Sequence, residues 1–287
     1  MKKIKVIIIS LLIVLTMTGC FKRDNMDNIS IYTTTYPVTY LVDNIYGYNS
    51  QVQSIYPLGV TPKDYELTKK QEKDYAKSDM FVYSGLTDEK QIAAAFLNNN
   101  DNLKLIDVTK GVSIKRDVEE LWLCPSNYLM LAQNVKNELL KYINSTVLKQ
   151  EIEQKYEDIK LTISKYDAEL KLVAENAENK SIIAGNDVFE FLEKYGFNVL
   201  SIEDNDLFLQ ADYQEAKNLI TSKKNTYIFL LNSDSVTENI KKLQTEGAKL
   251  IYINSMINLT EKEAEDNQDY PKMMLDFIEQ IKNEVYN

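Results

Sequence analysis

The chain has 287 residues, of which 33 are lysine or arginine and 43 are aspartate or glutamate, and it contains no histidine. Without an imidazole, the sequence excludes a Ser-His-Asp or Cys-His catalytic couple and any zinc site built on histidine. The net charge of −10 argues against a nucleic acid partner, because phosphate binding needs a basic surface. With 44% hydrophobic and 26% charged residues, the composition is that of a globular protein.

The N-terminal segment has the pattern of an export signal. Three lysines stand at its start, an apolar run covers residues 4–17, and a small residue directly precedes Cys20. A basic start, a short apolar stretch and small residues at the cleavage site are typical of a signal peptide, and the stretch is short for a transmembrane helix. The sequence predicts a lipoprotein signal peptide at 1–19, a lipid on Cys20 and a polar tether at 20–28. A single membrane-anchoring helix is the alternative interpretation.

A lipid on the first mature residue predicts where the protein resides. Such a group tethers a chain to the membrane without spanning it, so the expected location is the extracellular face of the cell membrane.

Cys124 is then the only free thiol, which predicts no internal disulfide. With no histidine to activate it, Cys124 is interpreted as a buried structural thiol.

Short β-rich runs alternate with amphipathic stretches along the rest of the chain. This alternation predicts right-handed βαβ units and therefore an α/β protein with a small, mostly parallel sheet in each half. The predicted strands cover 29–36, 52–58, 80–85, 103–109, 180–186, 199–203, 226–232 and 249–254. The predicted helical stretches include 68–78, 88–99, 125–143, 187–196 and 235–248.

One apolar stripe between the two halves predicts a single long helix at 147–178. From Leu148 to Ala177 the apolar positions recur at steps of three and four, and neither proline nor glycine interrupts them. A coiled coil has a similar periodicity. The α/β patterns on both sides favour a rigid intramolecular link between an N-terminal lobe at 29–146 and a C-terminal lobe at 179–287.

Five segments carry a resemblance to a known family. They are IYPLGVTPKDYELT (55–68), AKSDMFVYSGL (76–86), ELWLCPSNYLMLAQNV (120–135), AGNDVFEFLEKYGFNVLSI (184–202) and KLQTEGAKLIYINSM (242–256). In order and spacing they resemble the solute-binding lipoproteins of ABC importers for zinc and manganese. The resemblance covers residues 29–286. It implies two lobes joined by a long helix, a ligand site in the cleft between the lobes, and a membrane permease as partner.

The residues at the family's ligand positions differ from those of the family. Its members hold a cation with three histidines and a carboxylate, and the matching positions here are Lys63, Glu120, Asn186 and Asn254, while Cys124 replaces an aspartate of the second ligand motif. Zinc favours imidazole nitrogen and thiolate sulfur. Two unit charges roughly 4 Å apart repel by about 4 kcal/mol at an effective dielectric constant near 20, and a dication beside an ammonium doubles that energy. The replaced residues predict a degenerate site that rejects zinc.

Three interpretations of the cleft stay open from the residues alone. In the first, the cleft is closed and empty, and Lys63 pairs with Glu120 in place of the cation. In the second, the same four positions bind a small polar or zwitterionic solute. In the third, a divalent cation is held through oxygen, with Glu120, Asp64 and Asp187 as the candidate ligands. No resident cofactor is expected.

The function predicted from the resemblance is that of a solute-binding component of an ABC importer, acting as a monomer. The alternative is a non-transport surface protein, such as an adhesin or accessory subunit, built on the same fold. No nucleophile–base pair or pair of like-charged carboxylates stands out in the sequence, so an enzyme is not predicted.

Overall fold

The computed structural model describes residues 26–205 and 208–286. The predicted signal peptide, Cys20 and most of the predicted tether lie outside the described residues. The last residues of the predicted tether pack against the folded chain. Met26 is buried, and its carbonyl accepts a hydrogen bond from the Tyr46 hydroxyl at 2.5 Å. Met26, three residues before β1, is therefore part of the packed structure.

Each half of the chain forms one sheet of four parallel strands, which confirms the predicted α/β class. The orders are β2-β1-β3-β4 and β6-β5-β7-β8, so both halves have the same topology. The strands are β1 (Ile29–Thr33), β2 (Ser50–Ser54), β3 (Met80–Tyr83), β4 (Lys104–Asp107), β5 (Ser181–Ala184), β6 (Asn198–Ser201), β7 (Tyr227–Leu231) and β8 (Lys249–Ile253). Each ends sooner than predicted, because the chain leaves the sheet at its carboxyl edge.

Helices cover the sheets. They are α1 (Tyr36–Tyr46), α2 (Lys69–Tyr75), α3 (Glu89–Asn99), α4 (Glu120–Leu123), α5 (Pro125–Tyr142), α6 (Thr146–Asn176), α7 (Gln210–Thr221), α8 (Glu238–Thr245), α9 (Glu261–Glu265) and α10 (Tyr270–Val285). The stretch predicted as a helix at 187–196 forms a 3₁₀ helix, Asp187–Tyr195. Gly196 ends it with φ 100°, a left-handed conformation that glycine adopts without a Cβ penalty.

The long helix α6 joins the two halves. It begins after Ser145, whose side chain accepts a hydrogen bond from the Leu148 N–H, as an N-cap does. Its apolar stripe is buried against α1 and α5 of the first half and α10 of the second. The helix is therefore an intramolecular link, and the coiled coil is not needed to bury the stripe. Among the residues described, none of the helices combines the length and the apolar character that a membrane crossing demands.

Apolar packing continues across the surface where the two halves meet, called here the interlobe boundary. Trp122, the only tryptophan, lies in α4 and is 1% exposed. Its indole N–H donates to the Ser255 carbonyl at 2.7 Å, and its own carbonyl accepts the Tyr270 hydroxyl at 2.8 Å. One residue of the first half, through its side chain and its backbone carbonyl, is thus hydrogen-bonded to two segments of the second.

Polar contacts also cross the interlobe boundary. The Tyr36 N–H, at the start of α1, donates to the Ile257 carbonyl at 3.0 Å. Arg116 donates from Nε at 2.9 Å and from Nη2 at 2.5 Å to one carboxylate oxygen of Glu190. About a quarter of each side chain is exposed, 26% for Arg116 and 24% for Glu190, so this ion pair lies at the rim. Direct bonds therefore hold the halves together at the centre and at the rim of the boundary.

Replacing Trp122 by phenylalanine is expected to destabilise the protein by about 1–3 kcal/mol, because the Ser255 carbonyl loses its donor in a buried position. Urea unfolding followed by circular dichroism measures the change. Leu161→Ala on α6 is the control, since Leu161 is 60% exposed and its truncation removes little buried contact. Equal stability of wild type and Trp122→Phe would show that the indole bond does not hold the halves together.

The Arg116–Glu190 ion pair is expected to contribute about 0.5–1 kcal/mol, the range for partly exposed pairs. A double-mutant cycle with Arg116→Ala, Glu190→Ala and the double variant isolates this energy from other effects of each substitution. The coupling is expected to shrink at high salt, because salt screens partly exposed charges. Additive single effects would mean that the two charges do not interact in solution.

Candidate functional site

The loops at the carboxyl edges of the two sheets meet at the interlobe boundary. The loop after β8, residues 254–260, is called here the strap. The Ile257 carbonyl of the strap accepts the Tyr36 N–H after β1, and its Leu259 carbonyl accepts the Gly59 N–H after β2 at 2.7 Å. Ligands of open parallel sheets bind outside such carboxyl edges. Of the four ligand positions inferred from the resemblance, Lys63, Asn186 and Asn254 lie in loops or turns at these edges, and Glu120 is the first residue of α4.

Lys63 lies in the 3₁₀ turn Pro62–Asp64, and its side chain is exposed. It forms no ion pair with any residue of 26–205 or 208–286. The charge of Lys63 acts on the carboxyl groups of Glu119 and Asp234. Burial raises the pKa of each carboxyl, and the Lys63 ammonium partly offsets that rise. The ammonium therefore stands near carboxylates of both halves, although it bonds to neither.

Glu120 does not pair with Lys63, so that part of the first interpretation is wrong. Its Oε2 accepts the backbone N–H groups of Lys115 at 2.9 Å and Arg116 at 3.1 Å, and the Asn127 amide donates to Oε1 at 3.3 Å. The side chain is 8% exposed. The carboxylate at the start of α4 therefore points back to its own loop, where the backbone donors stabilise its charge.

Asn186 caps the 3₁₀ helix that follows β5. Its Oδ1 accepts the Val188 N–H at 2.8 Å, and its Nδ2 donates to Asp234 at 3.2 Å. The other carboxylate oxygen of Asp234 accepts the Leu231 N–H at 2.7 Å. Asn186 is 6% exposed, and its amide thus joins the ends of β5 and β7 within the C-terminal half.

Asn254 shapes the strap instead of facing the other half. Its Oδ1 accepts the Met256 N–H at 2.8 Å, and its Nδ2 donates to Glu263. Met256 has φ 57°, a left-handed conformation that is uncommon outside glycine, asparagine and aspartate. This turn directs the next three residues of the strap towards the N-terminal half.

Asn258 is the strap residue whose side chain contacts the loop that carries Lys63. Its Nδ2 donates to the Pro57 carbonyl at 2.6 Å and to the Val60 carbonyl at 2.7 Å. Sequence reasoning missed this contact. The segment INSMIN holds two asparagines four residues apart, and the motif alone could not decide which of them faces the other half.

Asp64 and Asp187, the further candidates for a cation ligand, also have partners of their own. Asp64 is exposed and accepts the Thr61 hydroxyl at 2.5 Å. Asp187 is buried and accepts the Ser201 hydroxyl and the Asn205 amide. Within the described part of the chain, no three histidine, cysteine, aspartate or glutamate side chains converge as metal ligands would. Glu120, Asp64 and Asp187 are therefore not brought together as one group of three carboxylates.

Cys124 is 4% exposed, and its sulfur lies 3.3 Å from the Ser126 hydroxyl. It follows α4 directly and precedes the proline that begins α5. The prediction of a buried structural thiol is confirmed.

The chain is similar to curated proteins over nearly its whole length. The manganese ABC transporter substrate-binding lipoprotein PsaA of Streptococcus pneumoniae is 23% identical over 283 residues, which cover 92% of this chain and 91% of the relative. A metal ABC transporter substrate-binding lipoprotein of Lactococcus lactis is 22% identical, with 98% of this chain and 96% of the relative covered. Both relatives are named as substrate-binding components of ABC transporters, which agrees with the prediction that this chain is not an enzyme.

Solved structures show the same fold. The metal-dependent lipoprotein YcdH of Bacillus subtilis superposes with a TM-score of 0.73 at 19% identity, covering 91% of this chain and 100% of that one. The Zn(II)-bound ZnuA-like domain of Streptococcus pneumoniae AdcA gives 0.71 at 19% identity with the same coverage. The model of the family described as zinc-uptake complex component A, periplasmic, matches residues 31–284. The chain therefore belongs to this family of metal ABC transporter substrate-binding proteins, as the five motifs predicted.

Proposed function

We propose that this protein is the lipid-anchored, extracellular solute-binding component of an ABC importer, and that its lobes close without zinc or manganese. One observation carries the proposal. Three of the four positions where the family holds its cation, Glu120, Asn186 and Asn254, make hydrogen bonds within their own halves. A group whose lone pairs already accept backbone N–H groups is a poor metal ligand, because binding would require those bonds to break.

The fourth position opposes a cation by its charge. Lys63 places an ammonium near Glu119 and Asp234, the acidic groups that would otherwise attract a dication. An incoming divalent ion would meet this fixed positive charge and would find no imidazole anywhere in the chain. The family's usual cargo is therefore disfavoured both by ligand type and by electrostatics.

The relatives and the N-terminal sequence support the proposed anchor and partner. Relatives from Streptococcus pneumoniae and Lactococcus lactis are named as lipoproteins of ABC transporters. The segment before Cys20 has the matching signal pattern. We assign this chain the same arrangement: a lipid on Cys20, the extracellular face of the cell membrane, and a membrane permease that accepts the monomer.

A second candidate function is supported by the state of Lys63. Its ammonium is exposed and lacks an ion-pair partner among the described residues, so it can receive the carboxylate of a small polar solute. Glu119 and Asp234 lie close enough to sense its charge and can receive an amine. A zwitterion such as an amino acid fits this arrangement.

The metal prediction is tested on the full chain, purified in detergent without chelator. Elemental analysis and native mass spectrometry are expected to find no stoichiometric zinc or manganese, and neither ion is expected to raise the unfolding midpoint, because only a ligand of the folded state does so. AdcA of Streptococcus pyogenes, named as a zinc-binding protein, is the positive control. One zinc or manganese ion per chain, lost in Asn186→Ala and Glu120→Ala, would overturn the proposal.

The solute prediction uses a panel of amino acids and small carboxylates in the same thermal assay. A shift with one compound is expected to disappear in Lys63→Ala, because the carboxylate loses its cation. Lys70→Ala is the matched control, since Lys70 is an exposed lysine of the neighbouring helix α2. A shift that survives Lys63→Ala would contradict the assigned role of Lys63. A panel without any response would favour the non-transport surface protein.

A further inference from the structure

Three buried hydroxyl groups lie at one edge of the N-terminal sheet: the first of them faces the Glu89 carboxyl, and the other two have no hydrogen-bond partner. They belong to Thr34, Thr35 and Ser84, and these residues are 0%, 4% and 3% exposed, respectively. A buried polar atom without a partner costs about 1–3 kcal/mol, and native structures keep few of them. Two unpartnered hydroxyls after neighbouring strands, those of Thr35 and Ser84, point to a guest that contacts oxygen atoms there.

The three hydroxyls lie at a position where α/β sheets bind ligands. Thr34 and Thr35 follow β1, and Ser84 follows β3, its neighbour in the sheet. The last paired residues of these strands are Thr33 and Val82, so the hydroxyls occupy adjacent places at the carboxyl edge. In the order β2-β1-β3-β4 the chain moves to one side of β1 first and then to the other. The gap between β1 and β3 is therefore the topological switch point of the sheet.

A buried carboxyl group completes this set. Glu89 is 3% exposed, and its Oε2 accepts the Ser84 N–H at 2.8 Å. Burial is the main reason that the pKa of Glu89 is raised to about 7, and the negative charge of Asp107 adds to this rise. Hydrogen bonds from the Ser84 N–H and from the side chains of Thr34 and Thr87 oppose the rise. Within 26–205 and 208–286, no lysine or arginine forms an ion pair with Glu89 or Asp107. Buried carboxylates are normally paired with a cation, and this one lacks such a partner in the protein.

We propose that this edge of the N-terminal sheet binds one alkali-metal cation, with Glu89 supplying the charge and the hydroxyls of Thr34, Thr35 and Ser84 supplying neutral oxygens. All four side chains offer oxygen, which suits a hard cation. The site is separate from Lys63 and the other family ligand positions, so it does not depend on the proposed function.

The charge of the site selects a monovalent ion. Asp107, the other carboxylate nearby, already accepts the Gly85 N–H at 2.9 Å, the Thr109 N–H at 2.9 Å and the Thr109 hydroxyl at 2.7 Å on its Oδ1. These three donors hold Asp107 against the turn after β3 and the residues after β4, so Glu89 is the carboxylate that we assign to the guest. Calcium sites in proteins usually draw on several carboxylates, whereas one carboxylate balances one sodium or potassium ion.

The test compares thermal unfolding of the full chain in sodium, potassium and choline chloride at equal ionic strength. Sodium or potassium is expected to raise the midpoint by about 2–5 °C over choline in a saturable manner, because only the folded state offers the site. Glu89→Gln and Ser84→Ala are expected to abolish the difference. Glu284→Gln is the matched control, since Glu284 is also 3% exposed but accepts N–H groups of Thr226, Tyr227 and Asn225 in the other sheet, and it is expected to keep the shift.

Equal midpoints in all three salts would mean that the hydroxyls bind water only, and the proposal would fail. A shift that persists in Glu89→Gln would place the ion elsewhere, and a response to Ca²⁺ alone would refute the monovalent assignment. If Glu89→Gln does not fold, Thr35→Val replaces it. Broadening of the ²³Na resonance by the wild type, lost in Ser84→Ala, gives a readout that does not depend on stability.

Discussion

A polar group buried between the two halves of this protein must find its partner within the protein, because water is excluded there. The indole of Trp122 meets the Ser255 carbonyl, and the amide of Asn258 meets two carbonyls of the loop after β2. These bonds fix how the strap lies against the N-terminal half.

The same constraint accounts for the state of the family's ligand positions. An amide carries both donors and an acceptor, so Asn186 can cap a helix and bridge to Asp234 at once, and Asn254 can shape the strap and bond to Glu263. The Glu120 carboxylate is saturated by donors of its own loop. The side chains at these positions, which the resemblance marks as ligand positions, thus bond to groups of their own halves and help to hold the loops there.

The two sheets share one topology but differ at their switch points. Between β5 and β7, Asn186 and Asp234 bond directly to each other. Between β1 and β3, the hydroxyls of Thr35 and Ser84 have no hydrogen-bond partner. Glu89, which accepts the Ser84 N–H, is buried there and forms no ion pair within the described residues. The C-terminal switch point is filled by protein groups, whereas the N-terminal one leaves oxygen atoms that a small ion can use.

The sequence by itself determined the elements of the fold. Alternating β-rich and amphipathic stretches predicted parallel sheets, and the apolar stripe from Leu148 predicted the helix that the structure shows at Thr146–Asn176. These features are local, since they depend on residue type and spacing along a few turns or strands. The motifs identified the family for the same reason, because each is a short run of chain.

Only the tertiary structure decided which side chains meet. In the folded chain Glu120 bonds to its own loop and not to Lys63. The side chain of Asn258, and not that of Asn254, donates a hydrogen bond to the other half. The tertiary structure also brought Thr34 and Ser84 together, although they are fifty residues apart in the chain. Loop conformations such as the left-handed Met256 depend on contacts made by distant residues, and neighbouring side chains in a loop point in different directions. Spacing in the sequence does not contain that information, because it arises only when the two halves pack.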